Sequence, residues 1–184
     1  ITNVGQNLHT DNSYNLCPPD YVLLFCRQTA MEGGVSELVS FYAAHNQMRA
    51  EAPDLLARLY EDFIFDRQRE HAPDDVMTIE HPLFTWDGSR LLGRLSKRQV
   101  HGGYALAGKA MDEQAAAALT ALETIMTAPG MRKKFYFEPG QIQIVNNKTC
   151  GHSRTAFTDW PEPERHRNLT RLWLRHEGRV FYNG

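Results

Sequence analysis

The sequence has few cysteines, and their spacing argues against a disulfide framework. Only three of the 184 residues are cysteine, namely Cys17, Cys26 and Cys150, and no CxxC pair occurs. An odd number of widely spaced cysteines indicates free thiols and a reducing compartment. We therefore expect a cytoplasmic location.

Strong charge and long hydrophobic runs are also absent. The formal net charge is −2, which argues against a broad nucleic-acid-binding surface because such surfaces are usually strongly basic. No apolar run reaches the length of about 18 residues that a membrane-spanning helix needs. The first residues do not have the pattern of a signal peptide. The chain is long enough for one domain with a sizeable core.

Hydrophobic periodicity predicts many short strands and a few helices. Helices are predicted over 40–51, from Pro53 onward and over 111–128. Strands are predicted at 21–27, 63–65, 78–79, 83–86, 90–95, 132–138, 141–145, 169–175 and 180–182, and 35–40 is either a strand or the start of a helix. The segment 63–103 is predicted to consist of short strands and turns. This order favours an α+β protein, with a mainly antiparallel β core and helices added outside it.

The segment His9-Thr10-Asp11 offers an imidazole and a carboxylate two residues apart. Residues i and i+2 of a strand point to the same side, so both side chains could bind one metal ion. A chance surface pattern is the alternative, because a three-residue motif has little specificity.

A second imidazole, His152, follows a predicted strand and turn and is flanked by the small residues Gly151 and Ser153. Two His and one carboxylate on one face of a metal are the ligands of non-haem Fe(II) oxygenases. A structural His is the alternative for His152. A zinc hydrolase is an alternative for the full set, since two His and one Asp also suit zinc.

Two arginines, Arg167 and Arg171, lie four residues apart near the last long predicted strand, so they share a face. On the inner face of a β core they would be costly unless paired with anions. Arg binds a carboxylate through two parallel hydrogen bonds, so a bound dicarboxylate would supply both charges. Exposed arginines on an edge strand are the alternative.

These motifs together resemble the Fe(II)/2-oxoglutarate-dependent dioxygenases of the taurine dioxygenase (TauD/TfdA) family, including its clavaminate synthase-like relatives. They follow the family order across nearly the whole chain. The segments that carry the resemblance are LHTDNSY (8–14), EGGVS (32–36), PGQIQ (139–143), NN (146–147), HSRTAF (152–157) and RLWL (171–174). The resemblance implies a double-stranded β-helix, or jelly roll.

The resemblance also implies a role for each candidate residue. His9, Asp11 and His152 would hold Fe(II) and form the catalytic centre. The implied cosubstrate-binding residues are Ser36, Arg154, Arg167 and Arg171. Ser36 stands where the family usually has a Thr that hydrogen-bonds 2-oxoglutarate, and Arg167 matches the Arg that binds its distal carboxylate. Arg171 would lie closer to the iron-chelating end, and Arg154 near the metal.

The activity that the resemblance implies is oxidation of an unactivated C–H bond in a small polar metabolite or natural-product intermediate. The cosubstrates would be 2-oxoglutarate and O2, and the coproducts succinate and CO2. Asp11 favours hydroxylation, because halogenating relatives have Gly or Ala at this position. Asn12, Tyr14 and Asn146 are candidate substrate-contacting residues. Turn hydrogen bonding for the two Asn residues and packing for Tyr14 are the alternatives.

One alternative on the same fold is a non-catalytic binding module or pseudo-enzyme. Family members have a long segment before the HxD motif, whereas eight residues precede His9 here. We therefore expect residues 1–184 to form a single catalytic domain that lacks an N-terminal segment. A small-molecule substrate is the expected partner, a homo-oligomer is left open, and neither nucleic acid nor a membrane is expected.

Overall fold

Two antiparallel sheets form the centre of the molecule. The structure is a computed structural model, and it describes residues 3–176. The four-stranded sheet has the order β1-β11-β4-β9 and the three-stranded sheet the order β10-β2-β13. In chain order the strands are β1 (Gln6–His9), β2 (Tyr21–Gln28), β3 (Glu32–Gly33), β4 (Ser36–Ser40), β5 (Asp62–Asp66), β6 (Thr78–Pro82), β7 (Phe84–Trp86), β8 (Leu91–Gly93), β9 (Arg132–Phe135), β10 (Ile142–Asn146), β11 (Cys150–Arg154), β12 (Phe157–Thr158) and β13 (Asn168–Leu174).

Three pairs of short strands, β12-β3, β5-β6 and β7-β8, make up the rest of the β structure in residues 3–176. The predicted α+β class with a mainly antiparallel core is confirmed. Segment 35–40, for which the sequence left two structures undecided, forms strand β4 (Ser36–Ser40), which leads directly into a helix. The strand predicted at 180–182 lies outside the described residues. Cys17, Cys26 and Cys150 form no disulfide bond.

Helices pack on the outer side of the four-stranded sheet and against the β5-β6 pair. They are α1 (Phe41–Glu51), α2 (Pro53–Arg58), α3 (Lys97–Ala107) and α4 (Glu113–Thr127), with a 3-10 turn at Pro163–Arg165. Helix α1 begins after Ser40, whose hydroxyl accepts from the Ala43 N–H, and α4 begins after Asp112, whose carboxylate accepts from the Ala115 N–H at 2.7 Å. Such N-caps satisfy backbone donors that the helix leaves free. The predictions for α1, α2 and α4 are therefore confirmed.

The prediction of strands and turns throughout 63–103 is wrong for its last part, which is the first half of α3. The adjacent Gly102 and Gly103 lower the helix propensity of this segment. Packing against β5 compensates for this, since an added Cβ at Gly103 would lie 2.3 Å from the carbonyl oxygen of Ile64. The close approach of helix and strand is a tertiary contact that periodicity does not show.

The pleat of β11 divides its side chains between the helices and the space between the two sheets. Gly151 pairs with Val39 of β4, and an added Cβ at Gly151 would lie 3.1 Å from a side-chain atom of Met126 in α4. Because neighbours in a strand point to opposite faces, His152 and Arg154 point away from the helices. In the part of the chain that the structure describes, no helix is both long and apolar enough to cross a membrane.

Candidate metal and cosubstrate site

His9, Asp11 and His152 converge at one end of the space between the sheets. His9 ends β1 and is the register partner of His152 on β11. Oδ1 of Asp11 lies 3.3 Å from Nε2 of His9 and 3.2 Å from Nε2 of His152. One ligand atom from each residue lies within 4.8 Å of the other two. These three side chains can therefore approach one metal ion together.

A turn places Asp11 beside the two histidines, whereas the sequence analysis placed His9 and Asp11 on one strand. Strand β1 ends at His9, and Asp11 lies in a turn in which Asn12 has a φ of 55°. Thr10 fixes the start of the turn: its N–H donates to the Leu95 carbonyl at 2.7 Å, and its hydroxyl accepts from the Leu95 N–H at 3.0 Å. The placement of both residues on one strand was wrong, because a turn rather than the strand pleat directs the carboxylate.

The hydrogen bonds and the burial of the three side chains are compatible with metal binding. Nδ1 of His9 lies 2.8 Å from the Asn7 carbonyl, which can only accept, so Nδ1 carries a proton and Nε2 is the nitrogen that faces Asp11. Burial lowers the pKa of His152 and so favours its neutral form. Burial acts to raise the pKa of Asp11, but hydrogen bonds to His152 and His9 outweigh it and hold that pKa well below its usual range.

The second oxygen of Asp11 is held by two donors on β13. Nη1 of Arg171 donates to Oδ2 at 3.0 Å, and the indole Nε1 of Trp173 donates to it at 2.6 Å. Asp11 itself is only 4% exposed. Sequence reasoning missed the contact of Trp173, although its position two residues after Arg171 on a strand puts both side chains on one face.

The backbone of Asp11 is held by Asn147, another residue that sequence reasoning missed. The Asn147 side chain accepts from the Asp11 N–H at 2.8 Å and donates to the Asp11 carbonyl at 2.9 Å. It also donates to the Pro19 carbonyl at 3.0 Å. Asn147 is 1% exposed, and no sequence motif distinguishes it from Asn146. The clamp ties the HxD turn to the β10–β11 connection.

A cavity of about 610 Å³ extends from His152 between the two sheets. The predicted residues Ser36, Arg154, Arg167 and Arg171 all line it. Ser36 and Arg154 are direct register partners on β4 and β11, so their side chains share the inner face. The structure thus brings the four candidate cosubstrate-binding residues and the candidate metal-binding cluster to one cavity.

The end of the cavity away from the cluster is cationic. The guanidinium carbons of Arg154 and Arg167 lie 4.5 and 5.2 Å from the ring centre of Phe157. Burial and then the charge of Arg154 lower the pKa of Arg167. Within residues 3–176, Arg167 forms no ion pair with a carboxylate. Two like charges, one buried at Arg154 and one half-buried at Arg167 without a carboxylate partner among the described residues, suit an anionic ligand.

Two adjacent glycines leave room for the side chain of Arg167. Gly33 and Gly34 have φ of 75° and 70°. An added Cβ at Gly34 would lie 3.3 Å from Nε of Arg167, tighter than an ordinary contact. The EGGVS motif therefore supplies both the turn before Ser36 and the room for the Arg167 side chain.

The three candidate substrate-contacting residues occupy different surroundings. Asn12 is 4% exposed, and within the described residues neither polar atom of its amide has a hydrogen-bond partner. Tyr14 packs in the hydrophobic core, and burial raises its pKa. Oδ1 of Asn146 accepts from the Lys148 N–H at 3.0 Å and so stabilises the β10–β11 turn. Gln143 lines the cavity and was not among the predicted residues; its Oε1 is buried without a partner in the described part.

Facing antiparallel sheets with a His-Asp-His cluster beside a cationic cavity define the class of jelly-roll non-haem iron oxygenases. The chain belongs to the TauD/TfdA family of Fe(II)/2-oxoglutarate-dependent oxygenases, since the family model described as "Taurine catabolism dioxygenase TauD, TfdA family" matches residues 1–173. The family that the sequence motifs indicated is therefore confirmed, and Fe(II) and 2-oxoglutarate are the family's cofactor and cosubstrate.

Two curated relatives are similar in sequence. FR-33289 synthase of Streptomyces rubellomurinus is 30% identical over 184 residues, which cover 98% of this chain and 52% of that protein. The taurine hydroxylase-like protein SAT17 of Stachybotrys chartarum is 29% identical over 169 residues, which cover 89% of this chain and 40% of the relative. The chain thus spans about half the length of the curated relatives it matches.

Solved structures show the same fold. An asparagine oxygenase in complex with Fe(II), 2S,3S-3-hydroxyasparagine and succinate superposes with a TM-score of 0.72 at 19% identity, covering 94% of this chain and 50% of that one. A taurine dioxygenase from Burkholderia xenovorans gives 0.67 at 21% identity, covering 91% and 56%. The jelly-roll architecture expected from the motifs is therefore confirmed.

The clamp of Asn147 leads to a first prediction. We expect Asn147→Ala to weaken Fe(II) binding about 10- to 100-fold, the usual effect of losing an outer partner of a metal ligand. The physical reason is that the Asp11 peptide loses both of its hydrogen bonds to the side chain. Competition with a chromophoric chelator under anaerobic conditions measures the affinity.

The matched control for this substitution is Asn146→Ala, one residue away, because Asn146 contacts the turn and not Asp11. This variant should bind Fe(II) as the parent protein does. Equal affinities of the two variants would contradict the role of the clamp.

Proposed function

We propose that this chain is the catalytic domain of an Fe(II)/2-oxoglutarate-dependent oxygenase that hydroxylates an unactivated C–H bond of a small polar metabolite or natural-product intermediate. The substrate C–H, 2-oxoglutarate and O2 would be converted into the alcohol, succinate and CO2. The observation that carries the proposal is the convergence of His9, Asp11 and His152 at the end of a cavity that also contains Arg167.

The residues at the metal end fit Fe(II). His9, Asp11 and His152 offer two imidazole nitrogens and one carboxylate oxygen, and burial favours the neutral form of His152 that metal binding requires. Bound iron supplies the activation of O2. Asn147, Arg171 and Trp173 hold Asp11 in place by hydrogen bonds, so that the carboxylate is oriented before the metal binds.

The cationic end fits the distal carboxylate of 2-oxoglutarate. Arg167 lines the cavity and has no carboxylate ion-pair partner among the described residues, so its guanidinium can donate two parallel hydrogen bonds; Ser36 offers a hydroxyl on β4. Arg154 adds a second positive charge nearby, although one of its nitrogens donates to the Val4 carbonyl. Arg171 lies at the other end, next to Asp11, as expected for a residue near the chelating end. The cavity is larger than a five-carbon dicarboxylate needs, which leaves space for a substrate.

An amino-acid-like compound is the substrate class to test first. Two solved relatives carry hydroxylated amino acids, namely 3-hydroxyasparagine in asparagine oxygenase and (3R,4R)-dihydroxy-L-Arg in the oxygenase OrfP. In this chain the buried amide of Asn12 follows Asp11 directly and has no partner in the described part. Asn12 is therefore the better supported of the candidate substrate contacts, while Tyr14 and Asn146 are engaged in packing and in a turn.

We also propose that residues 1–184 form a single catalytic domain, and that another segment of the whole protein covers part of its surface. Support comes from the outer face of the three-stranded sheet, where Ile142, Ile144 and Leu172 are 59%, 61% and 51% exposed. Apolar side chains in neighbouring strands rarely remain open to water over a large patch. The greater length of the relatives agrees with this proposal.

The test begins without oxygen. Protein, Fe(II) and 2-oxoglutarate should give a visible charge-transfer band, and succinate should form when O2 is admitted. A panel of amino acids, amines, sulfonates and phosphonates is then screened for substrate-dependent succinate and for product mass increased by one oxygen. Iron binding without any band would indicate a binding module, and hydrolysis supported by zinc alone would indicate a hydrolase; either result would overturn the proposal.

A further inference from the structure

Asp11 is the only one of the three candidate metal ligands that must choose between two equivalent donor atoms. A carboxylate can offer either oxygen or both to a metal, whereas each imidazole here offers Nε2. In the structure Oδ1 faces both His9 and His152, and Oδ2 faces Arg171 and Trp173. The two oxygens are thus already divided between the metal-binding cluster and strand β13.

The two donors on Oδ2 are not equivalent. The side chain of Arg171 is 51% exposed and also lines the cavity, so solvent and cavity ligands compete for its guanidinium. The indole of Trp173 has a single N–H donor, which here has Asp11 as its partner at 2.6 Å. The hydrogen bond from Trp173 to Oδ2 of Asp11 is also shorter than the one from Arg171. Trp173 is therefore the more persistent donor to Asp11.

The ring of Trp173 is held in the orientation that this bond requires. The guanidinium carbons of Arg171, two residues earlier on β13, and of Arg175, just after the end of β13, lie 4.8 and 5.5 Å from its ring centre. Nε of Arg175 donates to the Cys17 carbonyl at 3.1 Å. Across the sheet, Trp173 pairs with the buried Val22 of β2. Stacking on two sides and a buried neighbour restrict the indole to few rotamers.

From this geometry we infer that Trp173 is a positioning residue for the metal centre. Its indole N–H occupies Oδ2 of Asp11 and so presents Oδ1 as the single carboxylate donor to the metal. The inference rests on the proposed function, because it assumes that the cluster binds Fe(II). It adds a residue that acts through Asp11 and is not itself one of the proposed metal ligands or cosubstrate-binding residues.

The first test is Trp173→Phe, which keeps an aromatic ring between the two arginines and removes the N–H donor. We expect Fe(II) affinity to fall about 10- to 100-fold, as for other outer partners of metal ligands. The position of the anaerobic band with 2-oxoglutarate should also change, because the carboxylate bound to iron is altered. Trp86→Phe is the control, since Trp86 is 58% exposed on β7 and has no contact with Asp11. Thermal unfolding of both variants separates a change in folding from a change in the site.

The second test keeps Trp173 in place and uses it as a reporter. In a variant with Trp86→Phe and Trp160→Phe, Trp173 is the sole tryptophan, since the chain has three. Fe(II) binding under anaerobic conditions should quench its fluorescence in proportion to occupancy, and the further substitution Asp11→Ala should remove this response. This measurement requires neither turnover nor the folding of Trp173→Phe.

The outcomes separate this inference from the proposed function. If the parent protein binds no Fe(II), the proposed function fails, and the inference fails with it. If the parent binds Fe(II) but Trp173→Phe has the same affinity and the same band, only the positioning role of Trp173 is overturned. If the fluorescence of Trp173, as the sole tryptophan, does not change when Fe(II) binds, the positioning role of Trp173 is likewise overturned.

Discussion

Substitution of Asp11 by alanine is expected to remove the anaerobic Fe(II)/2-oxoglutarate band and to abolish succinate formation. Asp11 provides the only carboxylate of the described cluster and touches both imidazoles. Loss of an outer partner of a ligand weakens metal binding about 10- to 100-fold, and loss of the ligand itself should exceed that. Chelator competition and the visible band measure the two effects in the same sample.

The control for this substitution is Asp74→Ala, which removes an exposed carboxylate that lies outside the site. It should leave the band, the Fe(II) affinity and succinate formation unchanged. The Asp11→Ala protein should still unfold cooperatively, because Arg171 is half exposed and water can replace its lost partner. A normal band in the folded variant would show that Asp11 is not a metal ligand.

Substitution of Arg167 by lysine is expected to raise the KM for 2-oxoglutarate about 10- to 100-fold. Lysine keeps the charge but cannot form two parallel hydrogen bonds with a carboxylate. The bond that is lost contributes about 1.5–3 kcal/mol, and about 1.4 kcal/mol corresponds to a factor of ten. Titration of the anaerobic band with 2-oxoglutarate gives the same change as an equilibrium constant.

Fe(II) affinity should be unchanged in Arg167→Lys, because Arg167 has no contact with the His-Asp-His cluster among the residues the structure describes. Arg165→Lys is the matched control: this neighbouring arginine stacks on Trp160 and contacts Glu162, away from the cavity. A KM that stays at the parent value in Arg167→Lys would remove Arg167 from the cosubstrate site.

Local sequence signals predicted the elements whose stability is largely local. Helix α4 has helical spacing of apolar residues, an Asp cap and a Pro-Gly stop, and the apolar run of β2 stands between turn signals. Helix α3 lacks such signals, because two glycines weaken its propensity and its contact with Ile64 comes from a strand about forty residues earlier. Its formation depends on packing, which a single sequence does not display.

The residues of the candidate site also fall into two groups, those that the sequence predicted and those that only the structure revealed. His9, Asp11, His152, Ser36 and Arg167 were predicted because their residue types carry the chemistry and stand in recognisable motifs. Asn147 and Trp173 were not, because an amide and an indole have no chemical signature until their partners are known. Their hydrogen bonds to Asp11 span 136 and 162 residues of sequence. The iron-binding and cosubstrate-binding roles of all these residues stay predictions until the substitutions are measured.

The sequence alone determined the family, the α+β class and the residue types available for binding a metal and a dicarboxylate. Only the tertiary structure decided how Asp11 reaches the two histidines, which is through a turn held by Thr10 and Asn147 and not along a strand. It also decided which oxygen of Asp11 faces the two histidines, since Arg171 and Trp173 donate to the other. The physical reason is that a carboxylate's orientation is set by all of its hydrogen-bond partners together, and folding brings those partners in from distant segments of the chain.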